Sequence, residues 1–228
     1  MNDCLLLILT NTLAFSLLDV IASDGKTKLR RTPKLMICLC KTDNILKLKW
    51  LEQSAKEQKV LDTSKFILND KQAEKTYNFT MKETLKNGNE ARLNNGGVLG
   101  GWYVYITKGV AGNKAPSAKE FQLLLSASGA TQLTSLSESA VTNPEKTIMI
   151  TNDPPLAKQT SDKGVKRVHK LGGHLLTTTW LFNTFITQKV SIDDDEEEEE
   201  DIVAEKKGRK RRAATPSSGS NRKSSRRR

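Results

Sequence analysis

The chain contains one internal repeat, which constrains the fold more than any other feature. The segment WLEQSAKEQKV begins at Trp50, and WLFNTFITQKV begins 130 residues later at Trp180. Five of the eleven positions are identical, and each copy follows a short apolar run, at 45–48 and 175–176. Self-similarity of this kind indicates a duplicated unit. The sequence therefore predicts two copies of a strand that leads into a helix with a buried tryptophan.

The second copy belongs to a unit that alternates strands and helices. Its β-branched and aromatic runs predict strands at Trp102–Thr107, Thr131–Leu136 and Thr147–Thr151. Ser117 and Glu120 have capping-box spacing, which predicts a helix that ends near Gly129. The polar stretch that follows the third strand predicts a charged loop containing both histidines. Such alternation indicates a mostly parallel sheet with helices on both faces.

The segment between the two copies is charged and polar. Within it Phe79, Met81 and Leu85 have the spacing of a short amphipathic helix, so residues 71–95 are predicted to be a linker helix. Two glycine pairs follow, and they lack the spacing of a nucleotide-binding loop, so they predict a hinge or turn.

The net charge of +11 has two origins. Residues 193–228 carry nine acids in one run at 193–201, one further acid, and eleven cations from Lys206 to Arg228, a net +1. Residues 1–192 therefore carry the remaining +10. A basic globular part favours acidic partners, such as a phosphopeptide or a nucleic acid. The tail 191–228 has almost no apolar residues and is predicted to be disordered.

Several functions are disfavoured by composition. Cys4, Cys38 and Cys40 are an odd number and do not form a disulfide framework, and neither they nor the two histidines have the spacing of a metal site. The apolar run from Leu5 to Leu18 lacks a basic flank and is too short to span a bilayer, which favours a buried strand or helix over a signal peptide. We expect no metal, no cofactor and no membrane contact.

The order of strands and Trp-Leu helices resembles a BRCT repeat. Residues 22–35 (ASDGKTKLRRTPKL) and Phe66–Phe79 resemble tandem BRCT domains of the DNA damage checkpoint mediator and PAX-interacting type. The resemblance covers roughly residues 17–190. It implies an α/β fold of two repeats, each a small, mostly parallel four-stranded sheet flanked by helices. The implied domains are a partial first repeat (1–70), the linker helix (71–95), a second repeat (96–190) and the tail.

The resemblance also implies a function and its residues. Such proteins are not enzymes; their paired repeats bind phosphoserine peptides, notably phosphorylated histone tails beside DNA breaks. The lysine of the RRTxK motif, which contacts phosphate, corresponds to Lys34. Its second arginine corresponds to Arg31, and it reads the residues after the phosphoserine or a terminal carboxylate. A compact ammonium beside a planar guanidinium suits a phosphate physically as well.

Further candidate residues follow from position within the repeats. Only about seventeen residues precede the matching region, so the first repeat lacks room for its opening strand and helix. Thr10, after the apolar run, is the candidate for the missing threonine of the phosphate site. Thr107 and Lys108 occupy the equivalent position in the second repeat, and Thr179 and Asn183 flank Trp180. These four are candidate peptide contacts.

The tail carries a dense basic cluster that predicts nuclear import by an importin-type carrier. Its cations are Lys206, Lys207, Arg209, Lys210, Arg211 and Arg212. The predicted function is thus a nuclear adaptor of the DNA damage response that reads a phosphorylated histone tail or repair protein.

Three alternatives remain open at this level. The basic charge fits a nucleic-acid-binding protein, although no motif with interleaved aromatic residues accompanies it. A scaffold that ignores phosphate is the second, since the first repeat is incomplete. An enzyme fragment is the third, and no nucleophile with a base supports it.

Overall fold

The structure, a computed structural model, describes residues 7–9, 19–21, 29–112 and 115–192. The chain divides into two units, Met1–Val190 and Ser191–Arg228. Nearly all of the second unit lies outside the described residues, including the tail that the sequence predicts to be disordered. No helix in the described part of the chain is long and apolar enough to cross a membrane.

The second repeat is built on a four-stranded, wholly parallel sheet. Its strands are β4 (Tyr103–Ile106), β5 (Thr131–Leu133), β6 (Thr147–Thr151) and β7 (His174–Thr177), in the order β5-β4-β6-β7. Its helices are α5 (Ala118–Ala127), α6 (Ala157–Thr160), α7 (Lys163–Lys170) and α8 (Thr178–Thr187). The predicted α/β architecture is therefore confirmed. The predicted charged loop is wrong, because His169 lies in α7 and His174 in β7.

The capping box at the start of α5 is present as predicted. The Ser117 hydroxyl accepts a hydrogen bond from the Glu120 backbone N–H at 3.3 Å, and the Glu120 carboxylate accepts one from the Ser117 N–H at 2.8 Å. These bonds satisfy two N–H groups that a helix otherwise leaves unpaired at its start. The helix thus begins where the sequence pattern predicts.

The first repeat has a smaller, mixed sheet. Its strands in the described residues are β1 (Leu7–Leu9), β2 (Asp19–Ile21) and β3 (Asn44–Leu46), in the order β1-β2-β3. β2 and β3 are parallel, as β6 and β7 are, whereas β1 is antiparallel to β2. Its helices are α1 (Pro33–Lys41) and α2 (Leu48–Lys56). The strands described for the first repeat thus form a three-stranded sheet, against four strands in the second.

Both tryptophan helices bury their tryptophan, as the repeat predicts. Trp50 in α2 is 4% exposed and Trp180 in α8 is 7% exposed. The Trp50 indole N–H donates to the Leu61 carbonyl at 2.9 Å, which satisfies its one polar group.

The linker contains two helices rather than one, α3 (Lys71–Tyr77) and α4 (Met81–Asn95). Asn78, between them, adopts a left-handed conformation with φ 48°, which ends α3. α4 ends at Gly96, and the next glycine packs closely: a Cβ on Gly97 would lie 2.3 Å from the Ser128 carbonyl oxygen. The glycines therefore form a tight turn against the end of α5.

One hydrophobic cluster joins the two repeats and the linker. α1 packs against α4, α5 and α8. The cluster comprises Leu35, Cys38, Leu39, Ile45, Phe79, Met81, Leu85 and Ile186. Because its members come from the first repeat, the linker and α8, the repeats share one core at this place.

Candidate functional site

The candidate site lies where the start of α1 meets α8 and α3. Thr32 is the N-cap of α1, and its hydroxyl accepts a hydrogen bond from the Leu35 backbone N–H at 3.3 Å. Pro33 begins the helix, where its missing N–H costs nothing. Thr32 and Pro33 thus set the start of the helix, with Arg31 directly before them and Lys34 directly after them.

Arg31 is held across the two repeats. Its Nη1 donates to Asn183 Oδ1 at 3.0 Å, a bond between residues 152 positions apart. The guanidinium carbon lies 5.1 Å from the centre of the Tyr77 ring and 5.4 Å from that of Phe182. Distances of this size are those of cation–π contacts. The structure thus brings together two residues that the sequence proposes separately, Arg31 and Asn183.

The half-buried position of Arg31 affects its ionisation. Desolvation by burial lowers the pKa of Arg31 from its ordinary value, and the phenol of Tyr77 acts in the opposite direction. The guanidinium keeps its charge at neutral pH because its ordinary pKa is far above 7. A partly desolvated, positioned cation binds an anion more strongly than a fully hydrated one.

Lys34 occupies the first turn of α1 and is exposed. Among the described residues its ammonium has no hydrogen-bond or ion-pair partner, and the first turn of α1 contains no acid. The N–H groups at a helix start carry partial positive charge and attract anions. Lys34 and the start of α1 therefore present positive charge at one place.

The other predicted peptide contacts are more dispersed. Thr179 is exposed on α8, one turn before Asn183. Thr107 is 4% exposed, and its hydroxyl donates to the Ile150 carbonyl at 2.7 Å. Lys108 is exposed, and its carbonyl accepts from the Gln159 side chain at 3.2 Å. The bonds of this turn thus run to β6 and α6, and its role in binding stays a prediction.

Two sets of predicted residues lie outside the described ones: Thr10, and the basic cluster formed by Lys206, Lys207, Arg209, Lys210, Arg211 and Arg212. The pairing of β1 concerns the residue before Thr10, which is Leu9. Leu9 pairs with Asp19 at the amino end of β2, whereas the segment that leads to Lys34 leaves β2 at Ile21.

Sequence reasoning missed the two aromatic walls of the site. Phe182 lies in the repeated segment beside Asn183, and Tyr77 lies in the linker. Phe182 had a sequence signal, because it is an aromatic residue directly before the proposed contact Asn183. Tyr77 had none, since only the folding of α3 against the start of α1 brings it to Arg31.

Hydrogen bonds connect α8 to α4 and to α1. Thr84 of α4 donates its hydroxyl to the Ile186 carbonyl at 2.7 Å, and Asn87 donates its amide to the Thr187 carbonyl at 3.0 Å. The Gln188 amide donates to the Cys40 sulfur at 3.3 Å. These bonds fix α8, and so Asn183, relative to α1.

An ion pair fixes the linker to the first repeat. Arg92 of α4 pairs with Asp43, which also accepts from the Asn89 amide at 2.8 Å. Both partners are only partly exposed, at 21% and 32% of their side chains, so solvent screens the pair weakly. Within the described residues, no group of three metal-ligating side chains lies together.

Comparisons with known proteins agree with this geometry. The chain is 31% identical over 112 residues to Mediator of DNA damage checkpoint protein 1 of Homo sapiens. The matched segment is 49% of this chain and 5% of that protein. It is 27% identical over 103 residues to PAX-interacting protein 1 of Bos taurus, covering 45% of this chain and 10% of that protein. The chain thus spans a small part of these relatives. No family model matches it.

A solved structure shows the same architecture. The BRCT5-BRCT6 domains of S. pombe Brc1 match with a TM-score of 0.57, covering 73% of this chain and 78% of that one at 18% identity. The predicted resemblance to tandem BRCT domains is confirmed by this match and by the two relatives.

Proposed function

From the tandem BRCT fold and the positions of Arg31 and Lys34 at the start of α1, we propose that this chain is a non-catalytic adaptor that binds a phosphoserine peptide. The proposed peptide lies between the repeats, with its phosphate at Lys34 and its following residues at Arg31. Two curated relatives carry names that refer to DNA damage checkpoints and to PAX interaction. We place the adaptor in the DNA damage response on that similarity.

The observation that carries the proposal is the placement of Lys34. Its ammonium is exposed and has no partner in the described part of the chain, at the positive start of a nine-residue helix. A phosphoserine brings about −1.5 to −2 charges and three acceptor oxygens, which match an ammonium and helix N–H groups. A surface lysine with no such neighbours would offer only weak, screened attraction.

Arg31 supports the second half of the proposal. One of its five N–H donors is used by Asn183, so others remain for a ligand among the contacts that the structure describes. The two aromatic rings and the Asn183 amide fix the guanidinium before any peptide arrives, which lowers the entropic cost of binding. A fixed guanidinium suits the planar carboxylate of a peptide terminus or an acidic side chain.

The remaining candidates take lesser roles in the proposal. Thr179 lies on the same side of α8 as Asn183 and lines the peptide's path. Thr107 and Lys108 stay candidate peptide contacts, and Thr10 stays the candidate hydroxyl of the phosphate site. Because Leu9 pairs at the amino end of β2, we expect Thr10→Ala to change affinity less than Lys34→Ala does.

Fluorescence anisotropy with matched phosphorylated and plain histone-tail peptides at fixed salt tests the proposal. Lys34→Ala should weaken the phosphopeptide about ten- to hundredfold, the equivalent of one charge-assisted hydrogen bond, and leave the plain peptide unchanged. Lys41→Ala is the matched control, because Lys41 is exposed at the other end of the same helix. Equal affinity of the wild type for both peptides would instead indicate a scaffold that ignores phosphate.

Arg31→Ala tests the specificity role with the same assay. It should reduce discrimination between peptides that differ after the phosphoserine, including those with free and amidated carboxyl termini. Asn183→Ala should have a smaller effect in the same direction, since it releases the guanidinium without removing it. A loss of affinity that is the same for every peptide would assign Arg31 to the phosphate or to the fold.

We also propose that the tail delivers the adaptor to the nucleus through an importin-type carrier. The supporting observation is the density of cations between 206 and 212. A fluorescent fusion that lacks residues 203–228 should lose nuclear accumulation. Unchanged localisation would move this role to another segment.

A further inference from the structure

The outer face of α7 carries positive charge only. At 100° per residue, its four cations Lys163, Lys166, Arg167 and Lys170 fall on one side, and Val165 and Val168 fall on the opposite side. Both valines are buried, at 2% and 0% exposure. The three lysines are exposed and have no ion-pair partner among the described residues.

This face is turned away from the groove of the proposed peptide site. The valines of α7 pack against a row of side chains on neighbouring strands, formed by Leu133, Tyr105, Met149 and Leu175. Side chains alternate along a strand, so Ile148 and Ile150 point to the opposite face of the sheet. Helices α5 and α8 cover that opposite face, and α1 packs against both of these helices. The sheet thus separates α7 from Arg31 and Lys34.

The surroundings of α7 extend its charge. Lys158 of α6 lies beside the turn at Lys108, since a Cβ on Gly109 would be 3.1 Å from its ammonium. Two acids lie nearby and both have partners. Asp162 accepts from the N–H groups of Gly164 and Val165 as the N-cap of α7, and Glu138 lies 3.8 Å from Arg167. Residues 156–171 therefore hold five cations against one acid.

The arrangement is unfavourable for the helix itself. Lys163 faces Lys166 and Arg167, and Lys166 faces Lys170, at i,i+3 and i,i+4 spacings where like charges destabilise a helix. Lys163 also stands at the positive end of the helix dipole, which favours acids. By contrast, the exposed side of α4 alternates cations and acids, and Lys86 there pairs with Glu90. Glu138 pairs with Arg167 and Asp162 caps the helix, but among the described residues no acid pairs with Lys163, Lys166 or Lys170.

We propose that the outer face of α7 binds the phosphate backbone of duplex DNA, at a site separate from the peptide groove. The three unpaired lysines lie along about 10 Å of helix and can meet phosphates on a strand, which follow one another every 3.4 Å of the duplex axis. Arg167, which pairs with Glu138, adds positive charge beside them. Backbone contacts need only such cations and carry no sequence preference. An acidic protein surface fits less well, because protein interfaces also need a cluster of apolar or aromatic anchors. The outer face of α7 itself carries only cations, and the exposed leucines nearby, Leu156 and Leu171, lie apart at the two ends of the region.

The test measures full-length protein binding to a labelled duplex of about twenty base pairs by fluorescence anisotropy, from about 50 to 200 mM salt. The variant Lys163→Gln/Lys166→Gln/Lys170→Gln should bind at least about tenfold more weakly. Its plot of log affinity against log salt should be less steep by about two to three units, near 0.9 for each lost contact. Lys166→Gln alone should give about a third of that change.

A matched control removes the same charge elsewhere. Lys71, Lys75 and Lys82 are exposed on α3 and α4, so Lys71→Gln/Lys75→Gln/Lys82→Gln should stay within about threefold of the wild type. The basic tail is present in both variants and contributes equally to both. Thermal unfolding of the α7 variant should occur at or above the wild-type temperature, because the substitution removes repulsion within the helix.

Two outcomes would overturn the proposal. Equal losses for the α7 variant and the control would mean that overall charge, not this face, attracts DNA. A glutamate-rich peptide serves as the second probe: if the α7 variant loses the peptide but keeps DNA, the face binds acidic proteins.

Discussion

Helices α1 and α7 occupy the same place in the two repeats and have opposite chemistry. Each precedes the strand that leads into a tryptophan helix. α1 buries five of its nine residues between α4, α5 and α8, whereas α7 buries two of eight and packs mainly on α6 and β7. An apolar sequence is required where a helix is covered on both sides, and charge is tolerated where only one side is covered. The duplicated element thus serves as an interface in one repeat and as a surface in the other.

The largest expected consequence is that only one repeat folds alone. An isolated piece of residues 96–190 should unfold cooperatively, because it contains the whole parallel sheet with helices on both faces. A piece of residues 1–70 should not, because the cluster around α1 takes Phe79, Met81, Leu85 and Ile186 from outside it. Thermal unfolding followed by circular dichroism checks both. A cooperative transition in the 1–70 piece would contradict the difference between the helices.

A single core substitution in α1 should have the next largest effect. Leu39 is fully buried in the shared cluster, so Leu39→Ala should lower the free energy of unfolding by about 2–5 kcal/mol. Leu171, directly after α7, is 53% exposed. Leu171→Ala should therefore change the free energy of unfolding by no more than about 0.5 kcal/mol. Urea unfolding measures both. Equal losses would show that α7 is covered as fully as α1.

Alkaline pH should lower the stability of the fold through a buried thiol of α1. Burial raises the pKa of Cys40 to about 11, above the value of about 8.5 expected in the unfolded chain. Between these values the unfolded thiol loses its proton first, so the free energy of unfolding should fall as pH rises, by up to about 1.4 kcal/mol per pH unit. Below about pH 8.5 the thiol should have no effect.

Comparison with Cys40→Ala isolates this contribution from other groups that titrate at high pH. The variant should show a shallower loss of stability between about pH 8.5 and 11 than the wild type. Burial also raises the pKa of Tyr105, which packs under α7, and the comparison removes that contribution because both proteins retain Tyr105. Parallel curves for the two proteins would mean that the thiol is as accessible in the folded chain as in the unfolded one.

The smallest expected effect is a gain of stability on α7. Lys166→Glu replaces repulsion of Lys163 and Lys170 by attraction, and the new carboxylate lies four residues before Lys170, the better orientation. Each pair changed in this way contributes about 0.2–0.5 kcal/mol to the free energy of unfolding at low salt. Urea unfolding at low and at about 1 M salt measures it, since salt should remove the gain. A loss of stability would mean that an internal acid already compensates Lys166.

Much of the fold follows from local patterns that sequence reasoning identifies. The strand from Thr147 to Thr151 and the capping box of α5 were predicted at their observed positions, because each depends on residues close in the chain. α7 was missed because only two valines mark its buried face, although Asp162 supplied an N-cap signal. The second linker helix was missed because Asn78 ends α3 by a backbone conformation that composition does not reveal.

The sequence by itself determined the duplication, the α/β class and the identity of the two cations proposed for binding. These depend on residue type and on short spacings, which folding cannot alter. Only the tertiary structure decided that Arg31 meets Asn183, Phe182 and Tyr77, because that requires the repeats to pack around α1. It also decided that β1 runs antiparallel to β2 and that the cations of α7 lie beyond the opposite face of the sheet. Contacts between residues more than a hundred positions apart depend on how helices and sheets are covered, which no local pattern encodes.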